Sequence, residues 1–172
     1  MIKTILVPTD GSEHAKKAVI LAADIADKYD SRMVVLHVLS KDPLPESLVR
    51  MAASEHITPP RSEPSIAPTP EGKFPASTIF GQKDDKPEVR RFVAEHLLAE
   101  AQKAAKDKGI ENVHCVIEDG DPVKEILRHA EEKTANLIVM GSRGLGDLQG
   151  LLMGSVSHKV CQLSPCSCIT VK

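Results

Sequence analysis

The segment that most constrains the fold occupies residues 137–157 and reads LIVMGSRGLGDLQGLLMGSVS. Its four opening apolar residues predict a strand buried on both faces, which is typical of a parallel sheet. Half of the ten glycines follow between 141 and 154, and Gly154-Ser155 then predicts the start of a helix over about 155–163. A buried strand, a glycine-rich loop and a helix in this order predict one unit of an α/β fold.

The same alternation of strand and helix extends over most of the chain. Apolar runs predict strands, and apolar residues at helical spacing predict helices, one of which begins at Pro87 and has Gly109 as its C-cap. The strands are expected at 2–7, 33–38, 113–117, 137–140 and 168–171, and the helices at about 14–29, from 87, from 122 and at 155–163. This order predicts a Rossmann-like, doubly wound, five-stranded and mainly parallel sheet with helices on both faces.

Residues 41–86 interrupt that pattern. They contain eight of the twelve prolines and little apolar periodicity. The pattern leaves room for one brief helix around Glu46–Glu55, and the stretch Thr58–Pro70 is typical of a mobile or polyproline-like loop. We therefore expect a single domain over residues 1–172 with a proline-rich insertion at about 41–86.

Composition excludes several classes of partner. The net charge is −2, and the chain has no Trp, one Tyr and three Phe, so it offers neither a basic face nor stacking platforms for nucleic acid. No apolar run approaches the roughly 20 residues of a membrane span, and Pro8 and Asp10 end the first apolar run too early for a signal peptide. We expect a cytoplasmic protein with no membrane partner.

The four cysteines are expected to be reduced thiols, since they are too few for a disulfide framework. Cys166 and Cys168 would share one face of a strand, but a closed zinc site needs two more ligands than this pair supplies. We expect them to be small buried hydrophobes, and no metal ligand is assigned. His37 and His158 are expected to have packing or surface roles.

The glycine-rich loop favours phosphate binding on chemical grounds. Glycines let backbone amides approach an anion, and the N-terminus of a helix attracts negative charge. Ser155 and Ser157 add hydroxyl donors, and Arg143 can add a charge-assisted hydrogen bond. The alternative is that the glycines form only a flexible turn and a cap, and residue chemistry alone leaves both open because the loop matches neither the Walker pattern nor the dinucleotide fingerprint.

The spacing Gly141-x2-Gly144-x9-Gly154-Ser155 resembles the glycine signature of the ATP-binding branch of the universal stress protein family. Residues 5–12 (ILVPTDGS) resemble that family's first strand and loop, Leu36–Val38 the end of its second strand, and Gly120–Pro122 its third loop. The resemblance covers about 1–40 and 87–172. It implies a sheet related to that of the adenine nucleotide α-hydrolases, and a regulatory, stress-response protein that binds ATP with Mg²⁺.

The resemblance also implies which residues bind the nucleotide, all of them at strand ends or in the loops that follow. They are Pro8, Thr9, Asp10, Val38, Met140, Gly141, Ser142, Arg143, Gly144, Leu145, Gly146, Gly154, Ser155, Val156 and Ser157.

Within that set the resemblance distributes roles. The carboxylate of Asp10 would face the ribose hydroxyls or a metal-bound water, the backbone of Val38 would meet the adenine edge, and Met140 and Gly141 would flank the ribose. The triphosphate would lie on the loop and helix start between Arg143 and Ser157. The alternatives are that Val38 and Met140 are core residues at strand ends and that Asp10 caps the first helix.

No catalytic residue is assigned. An efficient ATPase needs a positioned water and a committed base, and Asp10 is the one acid that the pattern places near the site. This favours an ATP-binding regulator with slow or no hydrolysis. Two alternatives stay open: an enzyme acting on ATP, either an ATPase or one like the nucleotide α-hydrolases, and a ligand-free dimeric scaffold. Against an α-hydrolase-like enzyme, the usual Ser-Gly-Gly-x-Asp-Ser first loop is replaced by PTDGS at residues 8–12.

The apolar C-terminal strand, Cys168–Val171, predicts an assembly. No helix follows it to cover the sheet edge, and an exposed edge strand invites pairing. The resemblance implies antiparallel pairing across a two-fold axis, which gives a homodimer; the alternative is that the insertion covers the edge. A further protein partner is expected for a regulator, but no motif identifies it.

Overall fold

The computed structural model describes residues 1–40, 44, 48, 87–145 and 153–172. The chain divides into two compact units, Met1–Asp42 with Ala94–Lys172, and Pro43–Val93. The expected insertion at 41–86, with its brief helix, lies outside the described residues except for positions 44 and 48.

In chain order the elements are β1 (Thr4–Pro8), α1 (Glu13–Tyr29), β2 (Arg32–Leu39), α2 (Pro87–Lys106), β3 (Val113–Asp119), α3 (Pro122–Glu132), β4 (Leu137–Gly141), α4 (Ser155–Leu163) and β5 (Ser167–Val171).

The helices begin and end at residues whose chemistry explains the boundary. Ser12 caps α1 by accepting a hydrogen bond from the amide of Ala15 at 3.3 Å, and Asp30 ends the helix in the left-handed conformation, φ 51°. Asp121 caps α3 by accepting from the amide of Lys124 at 2.9 Å, and Pro122 occupies the first turn. The predicted extents of α1 and α4 are confirmed to within one residue.

Three predicted boundaries need correction, and the first is that β1 begins at Thr4 rather than at Ile2. The helix that begins at Pro87 ends at Lys106 rather than beside Gly109, and the chain then turns until Gly109 takes φ +87°. Strand β3 runs two residues further than predicted, through Asp119, because its polar last residues keep their pairing with β2. Apolar periodicity could not indicate that extension, since the added residues are charged.

The sheet has five strands in the order β3-β2-β1-β4-β5, and all four pairings are parallel. Ile5 of β1 pairs with Met33 of β2 on one side and with Leu137 of β4 on the other. From β1 the chain proceeds outward to β3, then returns to the other side of β1 for β4 and β5. The loops that follow β1 and β4 therefore diverge to opposite sides and leave a crevice at the carboxyl ends of these strands.

The core has two parts, one on each face of the sheet. Ile5 and Val7 point into a cluster with α1 and the part of α2 from Leu98 onward, while Leu6 points into a cluster with α3 and α4. The predicted doubly wound α/β fold with an aliphatic core is confirmed. Among the described residues no helix is both long enough and apolar enough to span a bilayer.

Candidate functional site

The crevice is formed by two loops that are joined by hydrogen bonds. The first loop is Thr9–Ser12, after β1; the glycine loop is 142–154, after β4, described through Leu145 and again from Met153. The Ser12 hydroxyl donates to the carbonyl of Arg143 at 3.3 Å. Nδ1 of His14 lies 3.0 Å from Oγ of Ser142, so the start of α1 also contacts the glycine loop. These bonds fix the spacing of the two loops.

Asp10 bridges the same two loops through its carboxylate. Oδ1 accepts a hydrogen bond from the amide of Ser12 at 3.0 Å, and Oδ2 accepts one from the amide of Leu145 at 3.1 Å. A Cβ at Gly144 would collide with Oδ2, so the approach of Asp10 requires glycine there. The N-cap of α1 is Ser12 rather than Asp10, which makes Asp10 a link between loops instead of a helix cap.

Helix α4 begins with amides that have no acceptor within the helix. The N-cap, Gly154, has no side chain to accept from the first turn, and its own amide donates to the carbonyl of Ser142 at 2.8 Å. The first intrahelical bond of the helix runs from the His158 amide to the Gly154 carbonyl at 2.9 Å. The amides of residues 155–157 therefore have no acceptor within the helix, and the positive end of its dipole lies at the same point. This arrangement suits an anion.

The two serines of this helix start differ in environment. Ser155 is exposed, so its hydroxyl is accessible beside the helix amides. Ser157 is buried, and its hydroxyl donates to the carbonyl of Gly141 at 2.8 Å, which anchors α4 to the end of β4. Ser157 offers a ligand its backbone amide rather than its hydroxyl hydrogen. Gly146 lies outside the described residues.

Val38 turns a polar backbone edge toward the crevice. The amide of Thr9 donates to the carbonyl of Leu36 at 2.9 Å, so Leu36 faces β1. Alternate residues of a strand direct their backbone groups to the same side, and Val38 therefore also faces β1. Pro8, the last residue of β1, pairs with Leu36, so the N–H and C=O of Val38 lie beyond the end of that strand. The Val38 side chain packs against the core.

The end of β4 contributes backbone rather than side chains. Met140 is 4% exposed and belongs to the core cluster that faces α3 and α4, so its side chain is a core side chain. A Cβ at Gly141 would lie 2.9 Å from the amide nitrogen of Ala15 and 3.0 Å from the carbonyl carbon of His14. Glycine at 141 therefore lets the β4 end pack directly on the backbone of α1.

Sequence reasoning missed the positioning roles of His14 and His37. Nδ1 of His37 donates to the carbonyl of Thr9 at 2.8 Å and so holds the first loop against β2. Burial lowers the pKa of His37, while the bond to Thr9 and the charge of Asp10 oppose that shift. A histidine at the end of a strand beside a polar loop is the signal that could have indicated this role. His158 is exposed.

A second polar group lies on β3 and α3 and is not part of the first loop or the glycine loop. We call it the Arg128 cluster: Glu118, Glu125, Arg128, His129 and Glu132. Among the described residues, Glu118, Glu125 and His129 are the group whose ligand atoms lie close enough together, within 4.8 Å, to hold a metal ion. The guanidinium of Arg128 already lies 3.0 Å from Glu118 and 2.7 Å from Glu125, so it supplies the positive charge there.

The cysteines are free thiols, as expected. Cys166 and Cys168 are half-buried and pack against the core, and burial raises the pKa of both thiols. Cys161 is exposed on α4. A raised pKa keeps a thiol protonated and unreactive, which agrees with a packing role for the buried pair.

Fold and crevice together define a doubly wound α/β protein with a crevice at its topological switch point. The model of the universal stress protein family matches residues 1–172, and the chain belongs to that family. It is 31% identical to the universal stress protein YxiE of Bacillus subtilis, with all of both chains covered. It is 32% identical to a universal stress protein of Thermus aquaticus, again with all of both chains covered.

Solved structures of the family share the fold. Universal stress protein UspA from Lactobacillus plantarum has a TM-score of 0.69 at 19% identity, covering 99% of this chain and 98% of the other. A universal stress protein in complex with cAMP has a TM-score of 0.60 at 23% identity, covering 99% and 97%. An Arabidopsis thaliana family member with AMP bound has a TM-score of 0.60 at 17% identity, covering 99% and 91%.

Proposed function

We propose that the crevice between β1 and β4 binds an adenine nucleotide, ATP with Mg²⁺, and that the protein acts as an ATP-binding regulator in the cytoplasm. The observation that carries this proposal is the start of α4, where three consecutive amides have no acceptor within the helix and the N-cap residue, Gly154, has no side chain to cap them. Donors left free at a helix N-terminus are the usual means of holding phosphate.

The remaining contacts support the proposal that a whole nucleotide lies along the crevice. Phosphates on the amides of residues 155–157 would lie next to the Arg143 region of the glycine loop. The ribose would then lie between Asp10 and the end of β4, and the adenine edge would meet the backbone of Val38, which faces the crevice. Family members solved with cAMP and with AMP support an adenine nucleotide. The choice of ATP rests on the glycine signature.

The residues present fit a magnesium ion carried by the nucleotide. Asp10 is the carboxylate of the described first loop and glycine loop, and Mg²⁺ is commonly held by phosphates, waters and one or two carboxylates. Asp10 would hold the ion through a water, while phosphate oxygens supply the other ligands. The ion would offset the repulsion between that carboxylate and the phosphates.

The geometry of Asp10 supports slow or absent hydrolysis. Both of its oxygens accept hydrogen bonds from backbone amides, of Ser12 and Leu145. A carboxylate so engaged is poorly placed to take a proton from an attacking water. Turnover is expected below about 1 s⁻¹, the lower end of ordinary enzyme rates.

The test is Gly154→Val, measured by titration calorimetry with ATP. Among the described residues, the nearest atom to a Cβ at position 154 is 3.5 Å away, so the fold should tolerate it, while the branched side chain covers the first amides of α4. We expect affinity to fall at least about tenfold, or 1.4 kcal/mol. Gln162→Val, at the exposed far end of the same helix, is the matched control. Unchanged affinity in a folded Gly154→Val protein would exclude this site.

We also propose a homodimer through β5. This strand is an edge of the sheet, its residues 168–171 are only half-buried, and Leu163 just before it is 60% exposed. An apolar edge of this kind is completed by an antiparallel copy of itself across a two-fold axis. Sedimentation at micromolar concentration should give a dimer, and Thr170→Pro should shift it toward monomer. A monomeric native protein would contradict the proposal.

A further inference from the structure

Asp10 stands out in the crevice because its negative charge contacts the glycine loop, part of which is expected to hold phosphate. Its Oδ2 accepts from the amide of Leu145 at 3.1 Å, inside the glycine loop, and Gly144 is the residue that allows this approach. The hydrogen bonds that Asp10 accepts come from neutral backbone amides, of Leu145 and Ser12. A carboxylate and a phosphate compete for the same kind of donor, and two anions repel each other.

We propose that Asp10 is a specificity-determining residue that selects against ligands according to the number of their phosphates. It acts in two ways. It accepts a hydrogen bond from the Leu145 amide that a phosphate oxygen could otherwise use, and it places a negative charge beside the phosphates expected on the glycine loop. This inference rests on the proposed adenine-nucleotide function and concerns which nucleotide the crevice prefers. A ligand with few phosphates is repelled little by the Asp10 carboxylate, whereas ATP is repelled fully unless a divalent cation accompanies it.

The expected role of Asp10 at the ribose makes a contrary prediction. If the carboxylate mainly holds ribose hydroxyls, removal of its charge weakens adenosine, AMP and ATP by a similar factor, because all three share the ribose. If it mainly opposes phosphates, the same change strengthens binding, and the gain increases from AMP to ATP. Attraction from Arg143 is common to the native and variant proteins and cancels in their affinity ratio.

The experiment is Asp10→Asn, with affinities for adenosine, AMP and ATP measured by titration calorimetry in EDTA. Asparagine keeps an oxygen that can accept from the Ser12 amide, so the loop turn is retained while the charge is lost. We expect ATP to bind about fivefold more tightly than to the native protein, or about 1 kcal/mol, with a smaller gain for AMP and none for adenosine. With Mg²⁺ added, the gain for ATP should shrink.

Two matched variants isolate the charge at this position. Asp27→Asn removes one exposed carboxylate from α1 and should leave all three affinities unchanged. Asp10→Glu retains the charge and should give no gain for ATP. If Asp10→Asn does not fold, Asp10→Ser removes the same charge with a short side chain that can still accept from the first loop.

The outcomes separate this proposal from the proposed function. A gain that rises with phosphate number supports the selective role of Asp10. A uniform loss for the three ligands, or no change, overturns it while nucleotide binding itself stands. If neither the native nor the variant protein binds any adenine compound, the proposed function fails and the selective role fails with it.

Discussion

The crevice and the Arg128 cluster are two polar regions of one sheet, and they differ in how charge is balanced. In the Arg128 cluster a single guanidinium lies within 3.0 Å of three carboxylates, and His129 adds a hydrogen bond to Glu118 at 2.9 Å. In the crevice, the hydrogen bonds that Asp10 accepts from the described residues come from neutral amides, and the first amides of α4 have no acceptor within the helix. The cluster pairs its cation internally, although the buried Nδ1 of His129 has no hydrogen-bond partner among the described residues, whereas the helix start in the crevice suits an anion.

The largest effect is expected from Gly141→Ala. Its Cβ would lie 2.9 Å from the amide nitrogen of Ala15, so α1 or β4 must shift, and such overpacking costs about 2 kcal/mol of unfolding free energy. Gly154→Ala is the comparison within the same signature. Its Cβ meets neighbours at an ordinary 3.5 Å, and its backbone, φ −73°, suits any residue, so the change should be below about 0.5 kcal/mol.

Urea unfolding of the two alanine variants measures the difference. Gly141→Ala should have the lower midpoint, with an unchanged dependence on denaturant. If both variants were equally stable, the glycine at 141 would not be a packing requirement and the distinction between structural and ligand-facing glycines would fail.

A smaller effect is expected from the pH dependence of His37, which holds the first loop by donating to Thr9. Burial lowers its pKa in the folded protein below the ordinary 6.5. Below pH 6.5 the unfolded chain therefore takes up a proton on this histidine that the folded protein does not. As the pH decreases from 6.5 to the folded pKa, the free energy of unfolding decreases by at most about 1.4 kcal/mol per pH unit.

His37→Gln isolates this contribution, because an amide can still donate to the Thr9 carbonyl but does not titrate. The free energy of unfolding is measured from pH 8 to pH 5 for both proteins. The native protein should lose more stability than the variant over this range. Parallel curves would show that His37 does not contribute to the pH dependence.

The sequence was informative where a structural feature depends on local pattern. Apolar runs gave the strands, and Ser12 and Gly154 gave the helix starts, because caps act over three or four residues. The hydrogen bond between Asp10 and the Leu145 amide joins residues 135 positions apart, so it could be found only in the fold. The separate reasons for the glycines at 141, 144 and 154 were equally hidden, since each depends on which atoms lie opposite the missing Cβ.

The smallest effect is expected from Arg128→Met, which removes the cation of the Arg128 cluster while leaving the crevice intact. The Arg128 side chain is 40% exposed, so water screens its ion pairs and their combined contribution is modest. We expect the thermal midpoint to fall by about 2–4 °C at low salt and by less at high salt, with ATP affinity unchanged.

Lys108→Met is the matched control, since it removes one isolated exposed ion pair, the 2.8 Å contact with Asp24, and should shift the midpoint by less than about 1 °C. A network in which one cation serves three acids should exceed a single pair, because its loss leaves the carboxylates to repel one another. If Arg128→Met weakened ATP binding, the cluster would belong to the nucleotide site. The contrast between the Arg128 cluster and the crevice would then have to be abandoned.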